Sequence, residues 1–233
     1  MPPSRPASLR KGQQTRAAIV NAALEQASRA GLEGLTIGAL AEQMQMSKSG
    51  VFAHFGSREE LQIAVLKAYE TRFIDEILKP SLHRPRGLPR FLAIVNQWLE
   101  RTVIEAALGC IWISGASEYD DRPGAVRNEL VSMVTGWQQE ISRAIEQSIR
   151  EGHLRRDTDI SDLVFGLYGV ILVLHHDSRL MRSTQALPRA RRAIAQLLRP
   201  LATGSAPDFR AILADEPDAV TSSDQSLRQR QVV

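Results

Sequence analysis

MSKSGVFAHFGSREEL, residues 46–61, contains two helix starts in quick succession. Ser47 is an N-cap, a residue whose side-chain oxygen accepts one of the free N–H groups at a helix start. Residues 57–60, SREE, have the form of a capping box and open a second helix. The helix between them is therefore only about two turns long. Val51 and Phe55 are four residues apart and share one of its faces, which leaves Lys48, Ser49, Gly50, Ala53 and His54 pointing away. Just upstream, Thr36 caps another short helix through Met44, with Leu40, Ala41 and Met44 turned inward. Ala41 is small, as required where two helices cross closely. Two short crossed helices joined by a tight turn have the layout of a helix-turn-helix. A short helix with a polar leading end suits the major groove of DNA, where its first residues reach base edges. Gly50 costs roughly 1 kcal/mol of helix propensity relative to alanine, and it leaves a slim backbone for close approach. An ordinary helical hairpin buried in a core is the alternative.

Helical periodicity continues in both directions and strand alternation is absent. Ile19, Ala22, Ala23, Ala27 and Ala30 mark one face of a first helix that Gly31 can end. The helix opened at Ser57 runs to about Leu78, before Pro80. After the turn-rich HRPRGLP (83–89), a stripe of Phe91, Val95, Trp98, Leu99, Thr102 and Val103 predicts the next. A small-residue-rich segment, GCIWISGASEYDD (109–121), then runs to Pro123. Val126, Leu130, Val134, Trp137, Ile141 and Ile145 repeat at helical spacing up to Gly152. Thr158 or Asp159 starts a further helix through Leu180, and Leu187 to Leu201 mark the last. The fold class is all-α, with about nine helices.

The chain has 233 residues, of which 43% are apolar and 24% charged, ordinary values for a globular protein and enough for a sizeable core. A net charge of +3 sets up no strong basic field, but its distribution is uneven. Arg5, Arg10, Lys11 and Arg16 all precede the first acidic residue, Glu25, so residues 1–12 read as a disordered basic arm. Cys110 is the only cysteine, which excludes an intramolecular disulfide and points to a reducing, cytoplasmic setting. The N-terminus has charge without an apolar run and is no secretory signal. The longest apolar run, LVFGLYGVILVL (163–174), is too short to span a bilayer, so no membrane partner is expected. From Gly204 the composition turns to Ser, Asp, Gln and Pro, so residues 204–233 read as a mostly disordered tail.

TRAAIVNAALE (15–25), GLEGLTIGALAEQMQMSKSGVFAHF (31–55) and SREELQIAVL (57–66) together resemble the TetR family of transcriptional repressors, over Gln13 to about Tyr69. The resemblance implies a DNA-binding helix-turn-helix at 13–57. A helical ligand-binding and dimerisation body would follow at 58–203. Its implied partners are a palindromic double-stranded DNA operator, a second copy of the chain and a small-molecule effector, with no cofactor. By position, Lys48, Ser49 and Gly50 lie at the leading end of the recognition helix, just after the cap at Ser47. The resemblance also implies phosphate contacts from Thr36, from the position of Phe52, from His54 and from Arg58. Two positions depart from the family pattern. Phe52 stands where a tyrosine hydroxyl usually meets a phosphate. Gln45 stands where the turn favours glycine, at a cost of about 1–2 kcal/mol if that position is left-handed.

The body is less legible. Trp98, Cys110, Trp112, Trp137, Tyr168 and His175 are candidates for a ligand pocket, since such sites combine apolar walls with a few polar groups. Each is also explicable as core or interface. Cys110, Glu118, His175 and His176 would make a metal site only if the fold gathered them; no metal is expected. Gly166, Gly169 and Val170 on the penultimate helix, with Leu187, Ile194, Leu197 and Leu201 near the last, predict a dimer interface built as a four-helix bundle. The reading is of a non-enzymatic regulator released from its operator by a ligand. A ligand-binding or scaffold protein with a degenerate helix-turn-helix is the alternative, and an enzyme using Cys110 or a histidine is a more distant one.

Overall fold

The computed structural model describes residues 7–208. The first helix, α1 (Ala7–Ala30), buries Ile19, Ala23 and Ala27 and ends at Gly31, whose φ is +78°. It begins inside the stretch read as an arm, so residues 7–12 are helical, while 1–6 lie outside the described residues. Extending a docked helix by good helix formers costs far less than nucleating one, and LRKGQQ holds only one poor former. Next come α2 (Ile37–Gln43), α3 (Lys48–Phe55) and α4 (Arg58–Phe73). A π-helical stretch, Ile74–Leu78, and a last turn, Lys79–Ser81, prolong α4 without a break. The body adds α5 (Leu88–Leu108), α6 (Ile111–Tyr119), α7 (Ala125–Arg150), α8 (Ile160–Arg179) and α9 (Ala186–Leu198). Counting α4 with its extension as one rod, this makes nine helices among the described residues.

The caps read from the sequence form. Thr36 Oγ1 accepts from Ala39 N–H at 3.2 Å, and Ser57 Oγ accepts from Glu60 N–H at 3.0 Å, the forward bond of the box. Asp159, rather than Thr158, caps α8 through Asp162 N–H at 3.0 Å. One contiguous core links the head to the body. Leu61, Val65 and Leu66 of α4 are fully buried where α4 packs between α1 and α7. At 20 residues α8 is long and apolar enough to cross a membrane by length and composition, because its helix outruns the twelve-residue apolar run at both ends. It packs instead along α5 and α9.

The start of the expected tail is held in place. Ser205 Oγ donates to Gly152 O at 2.9 Å and Thr203 N–H to His153 O at 3.1 Å, which pins it to the α7–α8 turn. Ala206 packs on the core, so residues 204–208 belong to the body; 209–233 lie outside the described residues.

Candidate nucleic-acid interface and ligand cavity

Leu40 and Ala41 of α2 face Val51 and Phe55 of α3, and all four are buried. The turn between these helices is a Schellman motif. Met46 N–H donates to Ala41 O at 2.8 Å and Gln45 N–H to Glu42 O at 3.1 Å, with Gln45 left-handed at φ +55°. Gln45 thus occupies the position where glycine is favoured and carries the conformational cost. Ser47 Oγ accepts from Gly50 N–H at 3.0 Å and lies 3.1 Å from Ser49 Oγ. A Cβ at Gly50 would sit 3.1 Å from that cap oxygen, so the missing side chain also relieves the cap.

Thr36, Ser47, Lys48 and Ser49 are exposed, Gly50 and His54 half-buried, and the Phe52 ring is 49% exposed although apolar. Lys48 lies back over α2, where a Cβ at Gly38 would meet its Cε at 3.3 Å. The Arg16 guanidinium stacks 4.8 Å above the Phe55 ring and clamps α1 to α3.

Arg58, for which a phosphate contact is expected, is engaged within the chain. Its Nε donates to Leu35 O at 2.9 Å, and its guanidinium also donates to Glu33 O and pairs with the Glu33 carboxylate at 3.5 Å. These bonds tie the start of α4 to the α1–α2 loop. Glu33 is the hub of this junction. Its carboxylate accepts from Tyr119 OH at 2.5 Å and pairs with Arg122 at 3.2 Å, while its N–H donates to Glu118 at 2.9 Å. The Tyr119 hydrogen bond holds the Glu33 carboxyl below the usual range; desolvation opposes it, and the charges of Arg58 and Arg122 assist. A second contact lies at the other end of α6, where a Cβ at Gly109 would strike Ser28 O at 1.8 Å. Both ends of α6 therefore touch the C-terminal part of α1 and the loop after it.

Behind that junction is a cavity of about 390 Å³ walled by Trp98, Trp112, Tyr168, Tyr69 and Phe73. Its rings form a continuous edge-to-face series. Phe73 meets both Trp112 and Trp137 at 4.8 Å, Trp137 meets Trp98 at 5.4 Å, and Trp98 meets Tyr168 at 5.1 Å. Glu105 is buried on the wall, where its carboxylate accepts from Tyr69 OH and from Arg101 Nε, both at 2.8 Å. Arg101 also pairs with Glu76 on the π-helical stretch.

Of the sequence candidates, Trp98, Cys110, Trp112 and Tyr168 line the cavity. Trp137 stands behind Trp98 and Phe73, and His175 is off the wall with its buried Nε2 unpartnered among the described residues. Burial, and then the Arg179 charge, lower the His175 pKa. Burial and then the Glu105 charge push the Cys110 thiol up to about 12, the opposite of an activated nucleophile. Cys110, Glu118, His175 and His176 do not converge, and no group of three metal-ligating residues forms among the described residues. Sequence reasoning missed Tyr69, Phe73 and Glu105. Glu105 follows Trp98 at i+7 and Thr102 at i+3 spacing, which puts a carboxylate on their face of α5.

On the far side, α8 and α9 form a groove lined by Gly166, Gly169, Val170 and Leu197. Gly166 serves contact within the protomer, since a Cβ there would meet Leu197 at 3.2 Å, whereas Gly169 opens outward. Leu187 and Leu201 are partly buried against the core. Ile194 is 0% exposed: helical spacing puts it with Ala190 and Leu198 on the inner face of α9, which removes it from any interface with a second copy. Phe165, at 82% exposure, stands in solvent instead.

Comparison with known proteins matches residues 19–65 to the family of bacterial regulatory proteins described as tetR family, and residues 87–194 to the tetracyclin repressor-like C-terminal domain. No functionally curated protein matches the chain. A TetR transcriptional regulator from Chloroflexus aurantiacus is similar in structure, with a TM-score of 0.71 and 21% identity over 83% of this chain and 98% of that one. A TetR-family regulator from Cytophaga hutchinsonii gives 0.72 and 17% over 83% and 97%. A transcriptional regulator from Saccharomonospora viridis, solved in complex with choline, gives 0.69 and 17% over 82% and 99%.

Proposed function

Because the chain belongs to the tetR family of bacterial regulatory proteins, and is thus a transcriptional regulator with a DNA-binding helix-turn-helix, we propose that it is a homodimeric repressor released by a small molecule. One observation carries the reading. A single rod, α4, has its first residue locked to the reading head through Arg58, and its later residues Tyr69 and Phe73 in the cavity wall. A ligand that shifts the wall therefore acts on the lever that sets the head.

In this reading Lys48, Ser49 and Gly50 meet base edges, and Thr36, His54 and the edge of Phe52 pack along phosphates. Arg58 positions α4 and the α1–α2 loop. Gly169, Val170, Leu197 and the exposed Phe165 meet a second copy across a two-fold axis. The two recognition helices then enter successive major grooves about 34–36 Å apart, which requires a palindromic operator. Choline in the Saccharomonospora viridis neighbour supports a small-molecule role for the body cavity.

The test is selection of bound sequences from a random duplex pool, followed by mobility shifts over a salt series. A two-fold symmetric site is expected, and Lys48→Ala should relax its specificity as well as weaken it. Only unspecific, salt-labile binding would overturn the reading and favour a degenerate head.

A further inference from the structure

We propose that the body cavity takes an organic cation bearing a hydrogen-bond acceptor, and rejects carboxylates of the same shape. The inference rests on the reading above for what the cavity is for, but its argument is the charge and chemistry of the wall. The charged side chains that line the cavity are Glu105 and Asp120, both acidic; no lysine, arginine or histidine is among the lining residues. Asp120 lies at the exposed mouth and Glu105 is buried farther in.

The nearest compensating charge, Arg101, stands outside the wall. Its guanidinium is shared between Glu105 and Glu76 and lies over the Tyr69 ring at 5.7 Å. One cation between two carboxylates leaves that cluster negative; Arg179, whose guanidinium donates to Ala106 O, offsets part of this from outside the wall, and Asp120 adds negative charge at the mouth. An anionic ligand would meet like charge on a desolvated, aromatic surface. A cation meets opposite charge, and the π-faces of the tryptophans and of Tyr168 attract it in addition.

A second observation points to the acceptor. Trp112 lines the cavity, is 9% exposed, and its buried indole N–H has no partner among the described residues. A buried donor left in this way is costly, and a small turn of the ring that brings this edge to the cavity lets a hydroxyl or ether oxygen on the ligand satisfy it. The ligand is therefore an ammonium compound with an apolar body and an oxygen.

Three probes of one shape separate the alternatives: benzyl(2-hydroxyethyl)dimethylammonium, its uncharged carbon isostere 3,3-dimethyl-4-phenylbutan-1-ol, and 3,3-dimethyl-4-phenylbutanoate. The full chain is titrated with each and read by tryptophan fluorescence, since Trp98 and Trp112 line the cavity and Trp137 stacks on Trp98. The cation is expected to bind about tenfold tighter than the alcohol, and the carboxylate weakest. Glu105→Gln should reduce the preference for the cation over the alcohol. Asp120→Asn, at an exposed position that spares the fold, should do the same.

Equal or tighter binding of the alcohol or the carboxylate overturns the proposal. So does a preference unchanged in both variants, or no response to any of the three. A mobility shift on the selected DNA is run in parallel. Tight binding of the cation with an undisturbed DNA complex would overturn the effector reading and leave the charge assignment standing.

Discussion

Replacing Tyr119 by phenylalanine deletes one hydroxyl from a ring that is 8% exposed and leaves its packing in place. That hydroxyl donates to Glu33 at 2.5 Å across the junction between α6 and the α1–α2 loop. A hydrogen bond to a charged partner is worth about 1.5–3 kcal/mol when well buried. The Glu33 side chain is 39% exposed, so water competes for it and the expected loss falls to about 1 kcal/mol. For a protein of this size that is a fall of about 2–4 °C in Tm.

Glu33→Gln removes the same charge-assisted bond from the other side, together with its partly exposed pairs to Arg58 and Arg122. The two substitutions should therefore be non-additive, with the double variant losing about 1 kcal/mol less than the sum of the singles. The pH dependence follows from the same bond. Glu33 is held below the usual carboxyl value of 4.5, so its contribution is complete above that value and is lost as pH falls through the lower folded value. The stability gap between wild type and Tyr119→Phe should persist at neutral pH and shrink as the pH falls below 4.5. Urea unfolding of the four proteins in the cycle, at neutral and acid pH, measures both effects. Additive losses, or a gap that stays constant into acid, would refute the reasoning.

Three further outcomes test other parts of the molecule. Phe52→Tyr adds a neutral hydroxyl at the exposed edge of α3 and should tighten operator binding about fivefold with an unchanged salt slope; unchanged affinity in the mobility shift would show that this edge does not meet a phosphate. Gln45→Gly relieves a left-handed residue at φ +55° and should stabilise the protein by about 0.5–1 kcal/mol in thermal unfolding, once the added flexibility of the unfolded chain is deducted. Phe165→Glu places a charge on the most exposed large apolar side chain of α8, and should give a folded monomer by sedimentation with greatly weakened DNA binding; an intact dimer would put the interface elsewhere.

Features fixed by neighbouring residues could be read from the sequence. The caps at Thr36, Ser47 and Ser57 each depend on an N–H three residues away, and the Schellman turn at Gln45 closes within six residues. The inward faces of α2 and α3 follow from spacing alone. The intramolecular role of Arg58 was not legible because its partners, the carbonyls of Glu33 and Leu35, are brought to it by tertiary packing; an arginine at a helix start looks the same whether or not it also serves its own chain. The apolar residues near the last helix were legible as a set but not as two faces. Ile194 is fully buried, whereas Leu197 lies half-buried in the groove against Gly166 of α8, and that division depends on how α9 seats on α8. Glu105 was hidden by its charge. A carboxylate in an apolar stripe reads as the exposed edge until Tyr69 and Arg101 arrive to satisfy it.

This contrast also bears on how the proposed release works. The head is held together by fully buried apolar side chains, Leu35, Leu40, Val51 and Leu61 among them, and losing such packing costs several kcal/mol per residue. It should move as one piece. Between α6 and the α1–α2 loop, buried Leu32 packs on Gly115 at mid-helix, but the contacts at the C-terminal end of α6 are polar and partly exposed: Glu33 with Tyr119 and Arg122, and Glu118 with the Glu33 N–H. Each is worth about 1 kcal/mol or less after solvent competition. Coupling free energies between sites are typically 1–3 kcal/mol, enough to rearrange a few such contacts and too little to disturb the head. A ligand pressing on Trp112 or Ile113 of α6 therefore has a soft junction at one end of that helix and the rigid α4 lever beside it. In the proposed release the rearrangement is expected at Glu33, and the helix-turn-helix should leave the operator with its internal geometry intact.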